Sequence, residues 1–390
     1  MSITQPTPVP SASTEGATAA DVRSQPAVGV IGLLVATALC LILGVLIVPV
    51  NSLQILGSVT TFALPLLIAS ALWWHGWPAR AFSRPVAGLL NTVLIVALAV
   101  ALNALAQVIV GRGDLSHLLS TTPAVAGPPA GRPAFPSYPW TLPLAGLIFL
   151  TMILLTFVCD RRPLRRLGTA GSGIAAITLS WIVGLAAYEL LANWSAIVPA
   201  PAQAALGLSN PGGPVNALHL LGWTLSVAVW AVVLFIPFRG RPFGAIGSTP
   251  ARLLAGNLAT IALGWGTFLL LSGPVGLTVP EIAAGCGALI AASLLAALIF
   301  EAWPSRLLAP GAGRDAALLA TIGTLGFAVF VLLKLIGDGR GGWTPANPVY
   351  LWMTVCALNF LAAGSILWYG VWRRWPVAAP TPAHAAEASR

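Results

Sequence analysis

Long apolar runs separated by short polar breaks dominate this chain. Runs of about 20 apolar residues are long enough to cross a ~30 Å hydrocarbon core at 1.5 Å per residue. They recur at 28–50, 57–74, 86–110, 142–159, 173–193, 218–237, 252–272, 281–301, 315–336 and 348–371. None alternates with the period of two that a barrel strand needs, and unpaired backbone groups are too costly in lipid, so each run is expected to be a helix. The pattern predicts an all-α polytopic integral membrane protein of about ten transmembrane helices, with one transmembrane domain at 28–376. The flanking segments, 1–27 and 377–390, are polar, rich in Ala, Pro, Ser and Thr, and expected to be disordered tails. No basic stretch opens the chain and the first run exceeds a signal-peptide core, so cleavage is not expected.

Composition sharpens this picture. Of 390 residues, 57% are hydrophobic and 7% charged, against roughly 25% charged in a soluble domain. The net charge of +9 would raise the idea of nucleic acid if the charges formed a stripe, but they sit in clusters between apolar runs. Arg80 and Arg84 follow span 2, Arg161, Arg162, Arg165 and Arg166 follow span 4, Arg239, Arg241 and Arg252 follow span 6, and Arg306 and Arg314 follow span 8. With Arg23, Arg373, Arg374 and Arg390 in the tails, fifteen of nineteen basic residues fall on one side, and only Arg112, Arg132, Lys334 and Arg340 on the other. The positive-inside rule therefore places both termini in the cytoplasm. A single lysine among these residues, with heavy use of Ala, Gly and Pro, points to GC-rich coding and a bacterial inner membrane. The expected partners are the lipid bilayer, with other membrane subunits or a homo-oligomer as further options, and no nucleic acid.

The breaks after the even-numbered spans share a signature. They read "HGWPAR", "DRRPLR", "RGRPFG", "EAWPSR" and "RRWPVA", each with Trp or Arg before Pro. Proline disfavours helix at the residue before it and cannot continue the amide ladder, while Trp and Arg favour the headgroup level. Such markers accumulate at the ends of spans in any polytopic protein. They also fit internal repetition, in which five in-out-in hairpins share one orientation about an axis normal to the membrane.

Charges inside a span mark function by default, and few are present. Glu189 and Lys334 lie near outer span ends, where they either reach the headgroups or pair across an outer half-channel. Thr92, Asn103 and Gln107 fall near one face of span 3, and Thr178 stands eleven residues before Glu189, as Thr92 does before Asn103. These six residues are the candidate substrate pathway, with interhelical hydrogen bonding as the competing role. "TVPE" at 278–281 has the form of a capping box. Asp160, Glu301 and Asp315 are expected to pair with nearby arginines, and "GDGRGG" at 337–342 to form a solvated turn. Pro65 should kink span 2.

Four scattered cysteines and four unclustered histidines offer no metal or haem ligand set, and no phosphate loop or nucleophile elbow occurs. No catalytic residue, metal site or cofactor is therefore assigned. On the outer side, Phe135, Tyr138, Trp140, Trp194 and Trp343 form either an aromatic belt, a cap over an opening, or a partner surface. Three function classes remain open: a transporter or permease for a small, weakly polar or uncharged solute, a non-catalytic subunit organising a larger membrane complex, and a membrane enzyme. The last lacks the residues it should need.

Overall fold

A computed structural model describes residues 25–111, 115, 118–119, 138–162, 164–344 and 347–377. Arg23, Arg112, Arg132, Phe135, Pro163, Arg390 and most of both tails lie outside the described residues. Among the described residues, nine helices are long and apolar enough to cross a membrane, and a tenth, shorter apolar helix joins them. In chain order they are α1 (Ala27–Leu46), α2 (Pro49–Trp73), α3 (Arg84–Val110), α4 (Leu142–Val158, the short one), α5 (Gly168–Leu191), α6 (Ala217–Phe235), α7 (Thr249–Ser272), α8 (Val279–Ile299), α9 (Ala312–Arg340) and α10 (Val349–Val371). The only strands among the described residues are a two-residue parallel pair, Ala192–Asn193 with Val215–Asn216, in the α5–α6 connection.

The even-numbered helices form an inner ring. α2 packs on α4, α4 on α6, α6 on α8, α8 on α10, and α10 back on α2. Burial agrees: the most apolar windows of α2, α6, α8 and α10 are 61%, 61%, 78% and 83% buried, against 22–33% for the odd-numbered helices outside them. Each of α3, α5, α7 and α9 lies chiefly against the inner helix that precedes it in the chain, while α1 lies against α10, the last one. Lipid removes the hydrophobic drive for helices to associate, so close approach at small residues must supply dispersion energy instead. At Gly184 of α5 an added Cβ would come within 2.9 Å of the Ile148 amide nitrogen in α4. Gly264 of α7 sits equally close to Val227 of α6, and Gly326 of α9 to Leu289 of α8.

Every inner helix ends in the same backbone device. Two successive residues take left-handed angles: His75 and Gly76, Asp160 and Arg161, Arg239 and Gly240, Glu301 and Ala302, Arg373 and Arg374. All eight non-glycine residues with positive φ among the described residues belong to these five turns. After α2, α4, α8 and α10 the amides reach back five, six and three residues, as in Trp74 to Ala69, Gly76 to Ser70 and Trp77 to Trp74. After α6 the six-back and three-back bonds recur, from Gly240 to Leu234 and from Arg241 to Phe238. These bonds occupy carbonyls that the helix end would leave open.

Three boundaries differ from the expectation. The segment 51–56, expected as an outer loop, is helical, because Pro49 sits in the first turn of α2 and starts the helix early. Gln25, assigned to the disordered tail, is buried: it donates to the Ile299 carbonyl at 3.2 Å and accepts from the Gly29 amide at 3.1 Å. The expected turn at Asp338–Arg340 is the last turn of α9, held by the Lys334–Asp338 pair at 2.6 Å one turn apart and by Arg340 donating to the Val45 carbonyl. The signature turns join each inner helix to the outer helix packed on it, giving the pairs α2–α3, α4–α5, α6–α7 and α8–α9. The expected box at α8 is present, with the Thr278 amide donating to Glu281 Oε2 at 2.7 Å.

The contrast between two glycines of α7 tests this packing. Gly264→Ala would place a methyl 2.5 Å from the Val227 Cα and should destabilise by about 1–3 kcal/mol. Gly266→Ala meets nothing within 4 Å and should be neutral or stabilise by up to about 1 kcal/mol. Thermal unfolding of the two variants in detergent measures the difference.

Candidate functional site

The inner ring encloses two voids stacked along its axis. The first, about 40 Å³, lies in the half away from the arginines and is lined by Leu53, Thr61 and Leu64 of α2, Gly146 and Phe149 of α4, Leu225 of α6, and Thr354, Leu358 and Asn359 of α10, with Tyr138 beside them. The second, about 90 Å³, lies nearer the arginine face and has only apolar lining, including Ile68, Ile153, Ile236, Leu294 and Ile366. Leu64, Phe149 and Leu358 touch both voids and separate them. Four inner helices and Ile236, the residue that follows α6, contribute to the second void, so ring closure defines the axis.

Polar groups concentrate at the first void. Asn359 Nδ2 donates to the Gly57 carbonyl at 2.9 Å and to Thr61 Oγ1 at 2.7 Å, tying α10 to its neighbour α2. The Tyr138 hydroxyl is buried with no hydrogen-bond partner, and burial pushes its phenol well above the ordinary value. A phenol held neutral can donate to a solute and accept from it. The arrangement can therefore hydrogen-bond a small neutral molecule at one end of an otherwise apolar path. Among the described residues, no charged side chain lines either void.

The six pathway candidates from the sequence are not brought together, and none lines a void. Thr92, Asn103 and Gln107 lie on α3, outside the ring. Thr92 accepts from Trp372 Nε1 at 3.0 Å and donates to the Gly88 carbonyl at 2.7 Å, which makes it an interhelical tie to the end of α10. Asn103 and Gln107 are fully buried, and both amide atoms of Asn103 lack partners. Thr178 and Glu189 are exposed on α5. Lys334 pairs with Asp338 and sits 5.5 Å from the Tyr350 ring centre, so its partner is one turn away on α9 and not Glu189.

Of the outer aromatics, Phe135 lies outside the described residues. Trp194 is fully buried, donates from Nε1 to the Tyr188 hydroxyl at 2.9 Å and meets Trp140 edge-on at 5.1 Å. Trp343 donates to the Gly337 carbonyl at 2.7 Å and lies 5.5 Å from Trp352. These rings pack into the end of the bundle, and the buried faces of Tyr138 and Trp194 are not offered to a partner. The sequence reading missed Asn359 and Thr61. The available signal was an amide in the middle of "VCALNFLAAG", the kind of signal that singled out Asn103.

No protein-family model matches the chain, and no curated protein or solved structure matches it.

Thr92→Val removes the acceptor for Trp372 Nε1 while keeping side-chain volume. It should cost about 0.5–1.5 kcal/mol, whereas Thr178→Val, on the exposed face of α5, should leave the unfolding midpoint unchanged.

Proposed function

We propose that the protein is a permease for a small, uncharged or weakly polar solute, which crosses along the bundle axis through the two voids. The observation that carries this reading is their alignment inside one closed ring, parted only by Leu64, Phe149 and Leu358. An ion entering such a path would lose its hydration with nothing to replace it, at a cost of many kcal/mol. A neutral solute pays far less and can regain hydrogen bonds from Tyr138, Thr61, Thr354 and Asn359. Side chains at an apolar constriction act as a gate by excluding water until they swing aside.

Two finer readings belong with this one. The five recurrent turns mark five related units, each an inner helix, its signature turn and the following outer helix, with the fifth split between α10 and α1. The units share one orientation, which sets the pseudo-symmetry axis along the membrane normal. The basic bias of the turn face orients it toward the cytoplasm of a bacterial inner membrane. An organising subunit is the weaker alternative, since Tyr138 and Trp194, expected to dock a partner, are buried.

Osmotic swelling of liposomes carrying the full chain tests the proposal, with glycerol, urea and ethylene glycol as neutral probes and potassium chloride as the charged one. At least one neutral probe should enter faster than into protein-free liposomes, and potassium chloride should not. Leu64→Trp, or Leu358→Phe as a milder block, should reduce that entry about tenfold by filling the constriction. Entry of every probe at the protein-free rate, or unaltered entry in both folded variants, would overturn it.

A further inference from the structure

The arginine face is not uniformly neutralised. Around four of the signature turns, carboxylates offset the guanidiniums. Asp160 lies 3.6 Å from Arg162 and 3.5 Å from Arg165, Asp315 lies 2.6 Å from Arg241, and Glu301 bridges Arg306 at 3.3 Å and Arg374. The fifth place differs. Where the turn after α10 meets the turn after α2 and the start of α3, Arg373, Arg80 and Arg84 converge with no carboxylate among the described residues to balance them.

Arg373 is the centre of this group. Its guanidinium lies over the α2 turn, where a Cβ on Gly76 would come within 3.0 Å of Nη2, and its Nε and Nη2 are buried with no hydrogen-bond partner. Arg84 approaches from α3 and donates weakly to the Arg373 carbonyl at 3.5 Å. The geometry is fixed from below: Asn91 donates to the Gly76 carbonyl at 3.0 Å, and Gly88 lets α3 close onto the Trp372 ring. Burial and the charges of Arg80 and Arg84 hold the Arg373 guanidinium below its ordinary value, a direction that a bound anion would reverse. An arginine stays charged under such pressure, so the site carries an uncompensated positive field.

We propose that Arg373, Arg84 and Arg80 form a phosphate-binding site at the seam between α10 and the α2–α3 pair. Guanidinium groups match phosphate oxygens in charge and in their forked donor geometry. Buried donors left open by the protein are the groups that such an anion completes. The surroundings favour the phosphate of an anionic lipid headgroup over a soluble one: Trp77, Phe82 and Trp375 are 38%, 54% and 40% exposed beside the cluster, as interfacial aromatics are.

Thermal unfolding of the full chain in a neutral detergent tests this, with phosphatidylglycerol, phosphatidylcholine or inorganic phosphate added. Phosphatidylglycerol should raise the midpoint at concentrations where phosphatidylcholine does not. The half-effective concentration should rise about tenfold in Arg373→Gln and in Arg84→Gln. Arg166→Gln, which removes the same charge from an exposed position on the same face, should respond as the unaltered chain does. An equal rise with inorganic phosphate alone supports the site and assigns it to a soluble anion. The proposal is overturned if no phosphate species raises the midpoint, or if the folded Arg373 and Arg84 variants respond like the Arg166 control.

Discussion

The backbone turn that ends each inner helix is the constraint on which the rest of the molecule depends. A helix that stops at a membrane interface leaves four carbonyls without amides, in a region where water is only partly present. Here the chain closes the end on itself, with amides that reach back five or six residues. Closing that tightly forces two successive residues into the left-handed region, at roughly 1–2 kcal/mol for each one that is not glycine. Only Gly76 and Gly240 escape the cost among the ten positions. Such strain persists because the turn also delivers the next helix onto the one just finished. Without it α5 could not bring Gly184 against Ile148, nor α7 bring Gly264 against Val227.

The turn also sets the contacts between neighbouring pairs. After α2, α4, α8 and α10, the residue that follows the helix is carried against the outer helix of the next pair. Trp74 lies on Gly173 of α5 and donates to the Ala170 carbonyl at 3.1 Å, Trp372 lies on Gly88 of α3, and Cys159 accepts from Asn257 of α7 at 3.4 Å. Phe300 lies on Gly29 of α1 in the same sense. In a lipid solvent single interhelical hydrogen bonds of this kind are worth about 0.6 kcal/mol on average, so it is their recurrence around the ring that fixes the arrangement.

Fold class was legible because lipid leaves few alternatives: long apolar runs without alternation must be helices, and clustered arginines mark one face. The five signature turns were legible as well, since Trp or Arg before Pro is a local signal. Which helices line the interior was not. Apolar runs that face lipid and runs that face other helices look alike, because both surroundings are apolar, and the usual amphipathic stripe is absent. The polar residues of α3 were therefore natural candidates for a pathway, although Thr92 serves a tie to Trp372. Asn359, which does face the axis, carries the same one-letter signal as Asn103 and could not be ranked above it without the ring.

The number of inner helices bears directly on the axis. Helices packed at about 9 Å, arranged as five around a centre, have axes about 8 Å from that centre, while a helix with its side chains has a radius of about 5 Å. A column of roughly 3 Å radius is left, too narrow for a further helix and wide for a seam of alanines. Leucine and phenylalanine from the ring fill part of it, at Leu64, Phe149 and Leu358, and leave the voids above and below. The voids are in this sense a product of closing five helices into a ring, and not of loose packing at one place. Closure depends on α10, which must pack on both α8 and α2 and is the most buried of the nine long helices at 83%. The seam that α10 forms with α2 and α3 joins segments far apart in the chain, and there, among the described residues, the arginines stand without a carboxylate.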